Sequence, residues 1–286
     1  EDFAAAGTHD LAITLATADG PLRTALLAAR GRTRVGLLDA ATVVEGGERR
    51  FAEGPDVRRL GGVEREAALE AFADYLSTIP SAKREHSLSY RVKDVVGRSG
   101  FGIGSAGLRA YNVLVEGRTE ALENDVILSI KQGNVAAPSR AIDDPRIRSF
   151  FVHDGHRTAV SQLSLQNHAD PWLGYTVLNG VGQIVRELSP YEADLDWSDL
   201  AEPEEVLRVL PSLGRVTARA HCVSDASSDQ TLVPFHVEEA VARVIGADRE
   251  GFVRWLTEFG TGYAKAVRRD HHLFVDLFRS GQDLGL

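Results

Sequence analysis

The chain has 286 residues, 43% of them hydrophobic and 26% charged, which is enough apolar material for one large domain or two packed lobes. Its 32 basic and 41 acidic side chains leave a net charge of −9 with the signs interspersed, which argues against nucleic acid or an anionic membrane as partner. A lone cysteine, Cys222, excludes an internal disulfide, and no apolar run reaches bilayer length, so the expected location is the cytoplasm.

Residues 1 to about 34 carry an Ala/Leu-rich helical pattern broken at Asp19-Gly20-Pro21. Thr42 to Phe51 places two short β-prone runs around Gly46-Gly47, which predicts a hairpin. From Val63 to Ile79 a helix is expected, with Val63, Ala67, Leu69, Phe72, Ala73 and Leu76 near one face and Pro80 as its stop. Glycine-separated β-prone runs then predict strands at Tyr90–Gly97, Arg109–Glu116, Val126–Lys131, Trp172–Leu178 and Gln183–Leu188. A helical stretch, Asp154–His168, falls between the third and fourth of these. That is the element order of a kinase small lobe. Helices return at Pro203–Cys222, Val237–Ile245 and Arg249 to about Phe278, and Pro203-Glu-Glu205 suits a helix start. The expected divisions are 1–89 (helical with a hairpin), 90–190 (small lobe) and 191–286 (helical).

Gly102-Ile-Gly-Ser-Ala-Gly107 is a G-x-G-x-x-G, compatible with two phosphate-binding geometries. A dinucleotide-binding turn, as in an NAD-dependent oxidoreductase, needs a helix directly after the third glycine. Here Leu108 to Val115 alternates and is β-prone, which favours a kinase-type hairpin instead. In such a hairpin, backbone amides at Gly102, Gly104, Ser105 and Gly107 approach phosphates without Cβ obstruction, and a lysine on the next strand reaches them. Leu128-Ser-Ile-Lys131 supplies that lysine. Glu187 and Leu188, at the end of the last strand, stand where a hinge would flank adenine. A kinase also orients its lysine with a helical glutamate, but Asp154–His168 contains none; Val160, Ser161 and Gln162 occupy the expected place.

These residues resemble the bacterial domain-of-unknown-function family 2252, related to aminoglycoside-phosphotransferase-like kinases. The resemblance rests on Tyr90-Arg-Val-Lys-Asp-Val-Val96, Gly102 to Arg109, the strand ending at Lys131, Gln162 to Gly174, Val185-Arg-Glu-Leu188 and Ala218-Arg-Ala-His221. It implies an α+β, protein-kinase-like two-lobed fold, circularly permuted, with an antiparallel five-stranded small lobe and mainly helical flanks. It also implies ATP and Mg2+ as cofactors and a phosphoryl acceptor, small molecule or protein, that is unknown. The family's catalytic-loop equivalent, Gly-Asp-x-His with a following asparagine, is not found here, because the chain has no Gly-Asp dipeptide. Glu1 is not an initiator residue and methionine is absent throughout, which is expected if sequence is missing upstream or if modified methionines have been left out; the resemblance implies that Glu1 begins just after the catalytic segment. The expectation is a phosphotransferase or, alternatively, a non-catalytic kinase-like binding module.

Other motifs carry plainer expectations. His153-Asp-Gly-His156 lacks a clear third metal ligand, so Asp154 is expected to cap the following helix. His271-His272 and His221-Cys222 are helix neighbours whose side chains diverge by about 100°. They are expected on an exposed face and in a packed core, respectively. His9-Asp10 reads as a surface or capping pair.

Overall fold

The computed structural model describes residues 14–81, 83–84, 89–99, 107–166, 169–228 and 231–281. In chain order its elements are α1 (Gly20–Gly31), α2 (Arg34–Ala41), β1 (Thr42–Glu45), β2 (Glu48–Phe51), β3 (Val57–Arg59), α3 (Gly62–Leu76), β4 (Val92–Arg98), β5 (Ala110–Val115) and β6 (Val126–Gln132). These are followed by α4 (Pro145–Phe150), α5 (Asp154–Leu165), β7 (Gly174–Leu178), β8 (Val181–Glu187), α6 (Pro203–Cys222), α7 (Val237–Ile245) and α8 (Arg249–Arg279). The chain divides into two compact units, Glu1–Ser224 and Asp225–Leu286.

The protein is α+β, with antiparallel sheets of two and six strands. β1 and β2 form the expected hairpin. Gly46 and Gly47 both take positive φ, 58° and 84°, as a tight turn matched to strand twist requires. The larger sheet runs β3-β4-β5-β6-β8-β7 and is antiparallel throughout. It therefore has six strands, not the five expected. The addition is β3, whose Val-Arg-Arg is too short to show alternation; three residues with two arginines suit an edge strand.

One face of this sheet carries Val95, Tyr111, Val113, Val115, Val126, Leu128, Ile130 and Val185, all buried against α3. The α3 stripe that meets them is Ala68, Ala71, Phe72 and Tyr75, spaced i, i+3, i+4, i+7. The expected stripe was wrong in detail, since Val63 is 84% exposed and the helix ends at Leu76. Two alanines let the helix approach the strands closely, and Tyr75 satisfies its buried hydroxyl by donating to the Trp172 carbonyl at 2.5 Å.

On the opposite face, Leu38 of α2 and Phe51 of β2 pack with Val96, Leu114 and Ile127. Helix α5 packs further along, on β7 and β8, where Ala159 meets Leu173 and Ile184. Gly155 makes this possible, because a Cβ there would overlap the backbone of Gln183. Helix α6 starts, as expected, at Pro203. Glu202 and Glu205 form a reciprocal capping box ahead of it.

Candidate functional site

Register places the glycine motif and Lys131 at the same end of the sheet. β4 ends at Arg98, the connection runs through the motif, and β5 begins at Ala110, which pairs directly with Lys131 of β6. Gly107 takes φ +77° just ahead of β5. Gly102, Gly104 and Ser105 lie outside the described residues, as does His9-Asp10. Strand β5 stands where a dinucleotide-binding turn would need a helix, so that alternative is excluded.

Because strand side chains alternate, pairing decides which groups share a face. On the α5 side, the row nearest the motif contains Arg98, Ala110, Lys131 and Ile184. The next row contains Val96, Asn112, Ser129 and Arg186. The third contains Leu114 and Ile127, with the Leu188 amide donating to the Ile127 carbonyl at 2.8 Å. Lys131 is half-buried, and loss of hydration, assisted by the Arg186 charge and opposed by Glu192, pulls its ammonium below the ordinary lysine pKa.

Helix α5 reaches this face without a glutamate. Gly155 and Ala159 contact β8, and Gln162 continues their stripe, half-buried, at i+7 from Gly155. The α5 cap also differs from expectation. His153 is the N-cap, its Nδ1 accepting the His156 amide at 3.0 Å, while Asp154 is the first helical residue and pairs with Arg157 at 3.2 Å. His156 Nδ1 accepts the Val152 amide at 3.3 Å, and its ring lies 4.5 Å from that of Tyr175. Both imidazoles are thus committed to capping and packing, and burial lowers the pKa of each.

The strand-end site at Glu187 and Leu188 is already heavily bonded. Asp170 accepts the Trp172 amide at 2.8 Å and the Glu187 amide at 2.5 Å. The Glu187 carboxylate accepts from Arg34 of α2 at 2.9 Å, and the Arg34 guanidinium lies 5.7 Å from the Trp172 ring centre. Burial raises the pKa of both acids, against the hydrogen bonds and charges that would lower it. Leu188 packs against the Leu38–Phe51 cluster. Sequence reasoning missed Arg34 as a partner, because nothing local links α2 to a strand 153 residues later.

In the second unit, Asp225, His236 and Glu238 place one ligand atom each within 4.8 Å of one another, the only such group of metal-binding type among the described residues. Asp225 Oδ1 accepts the amide and hydroxyl of Ser227, at 2.8 and 2.7 Å, and Oδ2 lies 3.3 Å from His236 Nδ1. The Ser227 bonds hold its carboxyl down to about 2. These contacts are accounted for as a turn leading into α7. His271 and His272 sit exposed on α8 with ring centres 6.3 Å apart, and Cys222 is half-buried at the end of α6. No described helix is long and apolar enough to cross a membrane.

Fold and site together define an α+β protein built on a six-stranded antiparallel sheet, with a lysine beside the glycine-bearing connection and a polar row behind it. The chain belongs to the DUF2252 family, described as an uncharacterised protein conserved in bacteria, whose family model matches residues 2–277. No curated protein and no solved structure matches it.

Proposed function

We propose that the protein is a kinase-like nucleotide-binding protein that acts as an ATP-dependent phosphotransferase on an acceptor yet to be identified. The observation that carries this reading is the pairing of Ala110 with Lys131. It puts the ammonium at the sheet end from which the glycine connection departs. A glycine-bearing hairpin with a cation on the adjacent strand is the arrangement that clamps nucleotide phosphates. The placement of α5 between β6 and β7, packed on β8, adds support. So does the one-sided crowding of Lys131, Arg98 and Arg186, which suits an anionic ligand. Mg2+ is expected to accompany ATP; the described residues around Lys131 include no carboxylate set arranged to hold it, so it would enter with the nucleotide.

A second reading, a non-catalytic kinase-like module, is favoured by one observation. The helix that packs on β8, the strand next to that of Lys131, contains no glutamate of the kind a kinase uses to orient its lysine. Binding and turnover separate the two readings. The protein is titrated with ATP and Mg2+ by calorimetry, and phosphate release is followed in parallel. Lys131→Ala is expected to weaken ATP binding by about ten- to a hundredfold, the size of a lost charge-assisted contact. Equal affinity in parent and variant would sink the phosphate-clamp assignment. Binding without turnover would favour the module.

A further inference from the structure

The polar row behind Lys131 contains two groups that the fold does not use. Asn112 and Ser129 are directly paired across β5 and β6, with 5% and 2% of their surface exposed. Asn112 Oδ1 and Ser129 Oγ are both closed from solvent and have no hydrogen-bond partner among the described residues. A buried hydroxyl or amide oxygen left unbonded costs about 1–3 kcal/mol, so two together on the middle strands of a sheet call for a reason. Apolar side chains would serve packing better. Their neighbours Val96, Leu114 and Ile127 on the same face show that apolar residues fit there.

Their position supplies the reason. Ser129 lies two residues before Lys131 on the same strand, hence on the same face and about 7 Å further along it. Arg186 is paired with Ser129 from the other side. A ligand with its anionic end at Lys131 and its body along this face meets the Asn112–Ser129 pair next. The strand end, by contrast, has its amides engaged: that of Glu187 by Asp170 and that of Leu188 by Ile127.

We infer that Asn112 and Ser129 form a recognition site for the nucleoside part of the bound nucleotide, hydrogen-bonding its base or sugar from the floor of the sheet. This rests on the phosphate-clamp reading of Lys131 and extends it. The amide and hydroxyl can each donate and accept, which suits a base edge or a ribose hydroxyl rather than a phosphate oxygen. Recognition of the nucleoside therefore comes from side chains of β5 and β6, and the amides of Glu187 and Leu188 take no part in it.

The test compares ATP with inorganic tripolyphosphate, which has the charge without the nucleoside, by calorimetry on the parent, Ser129→Ala, Asn112→Leu and Lys131→Ala. The expected result is that Ser129→Ala and Asn112→Leu each weaken ATP about tenfold and leave tripolyphosphate unchanged, while Lys131→Ala weakens both. A merely structural role would not produce that split. In the ligand-free protein, Ser129→Ala is expected to raise the melting temperature, since it deletes an unbonded buried hydroxyl. Unchanged ATP affinity in Ser129→Ala and Asn112→Leu, with Lys131→Ala still impaired, overturns the inference and leaves the clamp standing. A parent that binds neither ligand overturns both.

Discussion

The carboxylate of Asp170 holds the backbone amide of Glu187 at 2.5 Å, fastening the end of β8 to the segment that leads into β7. Its other oxygen takes the Trp172 amide at 2.8 Å, so one side chain ties two backbone donors. The connection matters because Glu187 in turn anchors α2 through Arg34.

Both carboxylate oxygens of Asp170 act as acceptors, and an amide cannot replace them. Asp170→Asn turns an NH2 group toward one of the two N–H donors and leaves that donor buried and unpaired. The expected cost is about 1–3 kcal/mol, read as a lower midpoint in urea with the slope unchanged. A variant as stable as the parent would show that the two bonds carry no net weight.

At the contact between α5 and β8 the limit is space. Gly155→Ala puts a Cβ into the backbone of Gln183, where neither the helix nor the strand can yield without moving the other. A loss of roughly 1–3 kcal/mol is expected from this overpacking. Gly214→Ala, on α6 with nothing within 4 Å of the new methyl, is the control. It is expected to raise stability by up to about 1 kcal/mol through helix propensity. Thermal unfolding of the pair, followed by circular dichroism, gives the comparison.

The pH dependence of stability has two opposed contributions. The Glu64 carboxyl is held down to about 2, chiefly by its bonds from Arg58 at 2.6 and 2.7 Å, with Tyr111 donating at 3.0 Å. Between that value and the ordinary glutamate range near 4.5, the unfolded chain binds more protons. Glu64 therefore contributes stability above that range and loses it as pH falls toward 2. Asp170 and Glu187 run the other way. Burial raises their pKa in the fold, so their contribution grows as pH falls from neutral through those raised values. Glu64→Gln is expected to lower the neutral part of a denaturant-midpoint profile while leaving its acid end near pH 2 unchanged, which flattens the acid limb. A parallel shift of the whole profile would contradict the assignment.

Much of the fold was legible locally. Gly46-Gly47 reads as a turn because few other residues tolerate two successive positive φ values, and the structure has them. The five long strands read correctly because alternation and β-branching leave a strong pattern over five to seven residues. β3 did not, because three residues carry no period, and its pairing with β4 is what makes it a strand. The α5 cap was misassigned for a similar reason. Asp154 and His153 both have side chains able to accept an amide, and only the chain path selects the histidine.

The sequence by itself determined the order of the five long strands with a helix between the third and fourth, the glycine connection between two strands and the lysine on the next one, since turn chemistry and side-chain period are local properties. The strand count, the α3 face and the company that Lys131 keeps were decided only by tertiary structure. A one-residue change of register would carry Asn112 and Ser129 to the opposite face of the sheet. Pairing between strands, set by burial of the α3 and α2 faces together, is what places those two oxygens behind the lysine.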